Sequence, residues 1–159
     1  MDKGDKGIES LADALGATVT EQEQSINVKY VAPDEYTNGQ MEQMLVSLQP
    51  LLDRRDIVGY AAARNTRVLR SECMEYLKRR DELISKYGEP EIGEDGSPTG
   101  NSRIKIGSEG YKSFCSEIEL YANIKHRPNL FKISYGEVIG KMSGNEILDC
   151  EWMLIDGDA

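Results

Sequence analysis

The chain has a single histidine, His126, in the stretch "KHRPN" just past an apolar helical pattern. Imidazole is the side chain that exchanges a proton near neutral pH, so general-base or metal chemistry would start there. A lone histidine excludes every site that needs two. A cation at a helix end also suits the helix dipole, so His126 reads as structural. Asp149 and Glu151 beside Trp152 come nearest to an acid pair in an apolar setting, where a raised pKa would mark a catalytic group. Glu117 and Glu119 flank Ile118 and read as facing water. The tip "GEDGSPTGN" offers Glu94, Asp95 and Asn101, but not in the alternating register, closed by a bidentate glutamate, that a calcium loop requires. No P-loop, GxGxxG after a strand, HExxH or GxSxG is present. The expectation is a protein without catalytic residues, resident metal or cofactor.

Concentrated positive charge occurs once, as Arg64, Arg67 and Arg70 followed by Lys78, Arg79 and Arg80. These six are the candidate contacts for nucleic acid or phosphate. Glu72, Glu75, Asp81 and Glu82 interleave with them along one predicted helix, and the sequence shows no aromatic platform beside them. Solvated, ion-paired surface is therefore the expected role. A net charge of −9 points the same way, because non-specific affinity for nucleic acid comes from cations neutralising phosphates.

The elements that would position these residues follow from periodicity. Residues 1 to 35 form an acidic N-terminal arm with one predicted strand in "SINVKYV", where Ile26, Val28 and Tyr30 alternate with polar positions. Residues 36 to 159 form a single, predominantly helical α+β domain. A helix of Met41, Met44, Leu45, Leu48, Leu51 and Leu52 is interrupted by Pro50. Asp56 then caps a helix predicted to run unbroken to Tyr87, with Gly88 and Pro90 as its stop. At 1.5 Å per residue that rod is about 46 Å long, against a diameter of about 40 Å for a compact domain of this size. A tip loop at about 88 to 103 follows, then a short strand in "RIKI". Next comes a shorter antiparallel helix from Ser108 bearing Tyr111, Phe114, Cys115, Ile118, Tyr121 and Ala122. A strand in "NLFKIS", one helical turn in "YGEVIGKM", and a helix behind the capping box Ser143–Glu146 that takes in Leu154 and Ile155 complete the reading. The apolar stripe of the long rod outruns what the shorter helix can cover, which predicts a companion molecule.

With 159 residues, 39% hydrophobic and 30% charged, the composition is that of a globular domain. No apolar run approaches the roughly 18 residues that span a bilayer, and the N-terminus carries no secretory pattern, so a cytoplasmic address without membrane partners is expected. Cys73, Cys115 and Cys150 are odd in number and lack CxxC spacing, and read as small buried hydrophobes.

The stretch "AARNTRVLRSECMEYLKRRDELISKYGEP", the acidic Gly-rich insertion, "IKIGSEGYKSFCSEIEL", "LFKIS" and the closing "SGNEILDCEWMLID" together resemble a family of small proteins of unknown function from temperate phages and prophages of Gram-positive bacteria. The resemblance covers about residues 36 to 156. It implies a phage-derived cytoplasmic accessory protein, with a role such as virion assembly, and assigns no catalytic residues. The expectation is thus a non-enzymatic protein–protein interaction or assembly protein, self-associating or bound to another phage protein. The alternative is a nucleic-acid-associated regulatory or packaging factor using the six cations.

Overall fold

The structure, a computed structural model, describes residues 31 to 156. The predicted strand in "SINVKYV" and the arm preceding it lie outside the described residues, apart from the last few positions of the arm. The architecture is predominantly helical α+β, with short strands in two-stranded pairs.

Strand β1 (Tyr36–Thr37) feeds helix α1 (Asn38–Leu48) through a capping box. Thr37 Oγ1 accepts from the Gln40 N–H at 3.1 Å, and Gln40 Oε1 accepts from the Thr37 N–H at 2.8 Å. Met41, Met44 and Leu48 are buried on its inner face. Pro50 ends the helix as expected, tightening residues Gln49–Leu51 into a 3-10 turn. Asp56 then caps α2 (Ile57–Glu72), its Oδ1 accepting from the N–H groups of Val58 and Gly59. The Arg54 guanidinium and these two donors hold the Asp56 carboxyl down to about 2.

The predicted single helix over 57 to 87 is two helices, α2 and α3 (Met74–Tyr87), divided at Cys73. The cause is local. Cys73 Sγ donates to the Leu69 carbonyl at 2.9 Å, the same oxygen that accepts the Cys73 N–H at 3.0 Å, and the backbone there opens to φ −102, ψ 17. Side-chain back-bonding of this kind bends helices. The apolar stripe is correspondingly shared out. Val58, Ala61, Ala62 and Leu69 of α2 are fully buried against α1 and the C-terminal segment. The chain itself covers the first half of the predicted rod, which needs no companion along its whole length.

Helix α3 pairs antiparallel with α4 (Glu109–Ala122), which starts at the expected Ser108 cap. Each has 14 residues, so neither is the shorter. The direction is plain from its cross-links: Lys86 and Tyr87 meet Glu117, whereas Arg79 meets Tyr121. A Cβ on Gly110 would lie 2.4 Å from the Tyr87 carbonyl oxygen, so only glycine lets the start of α4 come this close to the end of α3.

Where a tip loop was expected, β2 (Glu89–Ile92) and β3 (Pro98–Arg103) form an antiparallel hairpin. Its turn is closed by Asp95 Oδ1, which accepts from the Ser97 N–H and hydroxyl. The hairpin sequence lacks apolar alternation because both faces are largely solvated, so periodicity could not reveal it. The strand expected in "RIKI" ends at its first residue, Arg103.

Beyond α4, β4 (Lys125–His126) pairs antiparallel with β1. The strand expected over 129 to 134 reduces to β5 (Ile133–Ser134), followed by the one-turn α5 (Tyr135–Val138). The Ser143–Glu146 capping box opens α6 (Gly144–Asp149) as predicted. A 3-10 turn over Glu151–Met153 leads to β6 (Leu154–Ile155), parallel to β5, so Leu154 and Ile155 are strand and not helix. Asn65 docks this segment: its amide donates to the Phe131 carbonyl at 2.9 Å and accepts the Phe131 N–H at 2.6 Å.

Candidate functional site

Pairing of β1 with β4 fixes the start of α1 against the end of α4. The Asn38 N–H donates to the Ile124 carbonyl at 3.0 Å, and Asn38 Nδ2 donates to the Tyr121 carbonyl at 2.9 Å. The same pairing brings His126 to the end of α2, with Nδ1 3.3 Å from Glu72 Oε2. Between these anchors lies a cleft of about 340 Å3, lined by Glu75, Tyr76, Lys78, Arg79 and Glu82 of α3, and by Tyr121 and Ile124, as well as by Asn38, Glu72 and His126. Neither Asp149 nor Glu151 lines it.

An imidazole oriented by a carboxylate is the supporting half of a general-base arrangement. Among the described residues no serine, threonine or cysteine lines this cleft to act as the nucleophile such a pair would activate. Three polar atoms of its lining residues, Asn38 Oδ1, Arg79 Nε and His126 Nε2, are buried and make no hydrogen bond among the described residues. Tyr76 lines the cleft with its hydroxyl already engaged. Its hydroxyl donates to Glu42 Oε2 at 2.8 Å, and burial followed by that carboxylate holds the phenol well above its usual range. Among the described residues no group of three or more His, Cys, Asp or Glu side chains could hold a metal ion.

The six candidate cations do not share a face. On α3, Arg80 pairs with Glu42 and Asp81, and Arg79 pairs with Glu82 while its guanidinium stacks on Tyr121 at 5.4 Å from the ring centroid. Lys78 stands exposed at the cleft. On α2, Arg64, Arg67 and Arg70 are exposed and pair with no carboxylate among the described residues. Spacing accounts for this: no acid lies three or four positions along the helix from any of the three, and Glu72 sits beside His126. An aromatic platform is also present, contrary to expectation. Arg64 Cζ lies 5.8 Å from the Tyr60 ring centroid and 5.2 Å from that of Phe131, and the two rings meet edge to face at 5.5 Å. Phe131 is 67 positions from Arg64 in the chain, so only the fold could reveal this pairing.

Sequence reasoning also misplaced Glu117. It is half-buried and accepts from the Tyr87 hydroxyl and from Lys86, which together hold its carboxyl below the usual range. Among the cysteines, Cys73 and Cys150 are buried as expected, whereas Cys115 is only half-buried. No helix among the described residues is long and apolar enough to cross a membrane. No protein-family model, no curated protein and no solved structure matches this chain.

Proposed function

We propose that this chain is a non-enzymatic protein–protein interaction or assembly accessory protein whose partner covers the α3–α4 arm. One observation carries the reading: α4 has an apolar stripe of Tyr111, Phe114, Cys115, Ile118 and Tyr121, and none of its residues is fully buried. Buried stripes are what hold helices in a domain, so an unfinished one needs further cover. Large apolar side chains around the arm point the same way, with Ile106 80%, Leu120 75% and Met74 60% exposed. The resemblance to small phage and prophage proteins supports an accessory role in a cytoplasmic setting, with the partner a second copy or another phage protein.

Light scattering on the size-exclusion peak at high micromolar concentration, together with recovery of the tagged chain from an induced lysogen, tests the proposal. A dimer that Leu120→Lys dissociates is expected, or a co-purifying phage protein lost on the same change. A strict monomer that brings down nothing overturns it.

A further inference from the structure

The outer face of α2 carries three arginines in a chain whose net charge is −9. From Ile57 to Ser71 the sequence contains no acidic residue. Helical spacing aligns Tyr60, Arg64, Arg67 and Ser71 in one row, with Ala63 and Arg70 alongside, and all six are exposed. Neighbouring positions in such a row have Cβ atoms about 5 to 6 Å apart, so the three guanidinium groups form a short continuous cationic strip. Glu72, the nearest acid in sequence beyond Ser71, is beside His126, and Asp56 at the other end pairs with Arg54.

The strip is also organised. Arg64 lies over both aromatic rings, and its Nη1 donates to the Tyr60 hydroxyl at 3.1 Å. Tyr60 keeps 51% of its surface exposed although Phe131 packs against it. An exposed ring beside a held guanidinium and two free ones is a stacking surface next to a phosphate-binding row. We propose that this face binds single-stranded nucleic acid, with Arg67 and Arg70 contacting phosphates and the Tyr60–Arg64 platform stacking an unpaired base. A duplex offers the phosphates but no unstacked base, and an acidic protein surface offers neither, which is why a single strand is the occupant that uses every part of the face. The overall charge of −9 opposes any polyanion, so the affinity is modest and depends on low salt.

The test is fluorescence anisotropy of a labelled single-stranded oligonucleotide with the full chain, titrated with salt. Two phosphate contacts on a single strand give a slope of about −1.4 in log affinity against log salt, or roughly a sevenfold loss between about 50 and 200 mM. Replacing both Arg67→Gln and Arg70→Gln, which are exposed and leave the fold intact, should flatten the slope to about zero. Tyr60→Ala should weaken binding about tenfold with the slope unchanged, because stacking does not release counterions. No binding at low salt overturns the proposal, as does a slope indifferent to the arginine pair. Equal affinity for the single strand, a duplex and inorganic polyphosphate, with Tyr60→Ala indistinguishable from the native chain, overturns it too and leaves only a generic anion-binding surface.

Discussion

Helices α2 and α4 carry similar apolar stripes and meet opposite fates. In α2, Val58, Ala61, Ala62 and Leu69 have no exposed surface, because α1 packs on one side and the segment from Phe131 to Leu154 on the other. In α4 the stripe meets chiefly α3 and remains half-buried. The arm contributes one fully buried apolar side chain of its own, Leu83, which lies outside the main cluster. Polar groups divide in the same way. The core end uses the buried Asn65 clamp, whereas the arm uses partly solvated contacts such as Glu117 with Lys86 and Tyr87. An apolar period therefore says which side of a helix seeks cover; how much it finds depends on the layers the rest of the chain supplies.

The contrast breaks most sharply at Asn65. Asn65→Ala strips both partners from the Phe131 peptide groups and opens a gap in the core. Each group left unpaired costs about 1 to 3 kcal/mol, so the two together cost about 2 to 6 kcal/mol. Leu69→Ala follows at about 2 to 5 kcal/mol for lost burial and the cavity. Urea unfolding with an unchanged slope measures both. A loss under about 1 kcal/mol for Asn65→Ala would mean that the C-terminal segment is not held at this point.

In the arm, Leu83→Ala should sit at the low end of the same range, about 2 kcal/mol, since half-exposed neighbours can close over the gap. Amide exchange sharpens the comparison. The α4 amides should exchange through openings of lower free energy than those of α2, because fewer buried contacts must break. Equal protection along both helices would erase the distinction.

The thiols report the same division without any substitution. Burial pushes the Cys150 thiol up to about 12, helped by the charges of Asp149 and Glu146, and burial also raises Cys73. Alkylation near pH 8 should mark Cys115 in the folded protein and reach Cys73 and Cys150 only on unfolding. A thiol raised in the folded state stays protonated there while the unfolded chain ionises, so stability is lost as pH climbs from about 8.5 toward 12. Labelling of Cys150 at the rate of Cys115 would contradict its burial.

Much of this was legible in the sequence because it is local. The Asp56, Ser108 and Ser143 caps, the stop at Gly88 and the interruption at Pro50 each depend on residues within a few positions. What escaped is either non-periodic or non-local. The break at Cys73 arises from a thiol bonding one turn back, inside a pattern that remains helical on both sides. The β2–β3 hairpin has no buried face to print an alternation. The Tyr60–Phe131 platform, the Asn65 clamp and the His126–Glu72 pair join residues 54 to 71 positions apart, and no spacing rule reaches across them.

The smallest expected effect on stability is at Leu120, and it separates the two explanations for an exposed apolar residue. A scattered surface leucine needs no reason for being there, and changing it does nothing beyond a few tenths of a kcal/mol. A leucine that completes an interface behaves the same way in the isolated chain, because at 75% exposure there is little burial to lose. The two differ only when association is measured. Leu120→Lys should leave the urea midpoint within about 0.5 kcal/mol of the native value and still abolish the assembled species, since a lysine ammonium cannot be desolvated against an apolar partner without a counter-charge. If the variant assembles as the native chain does, the arm is incompletely covered only because two helices and a hairpin cannot build a second layer, and the partner docks elsewhere.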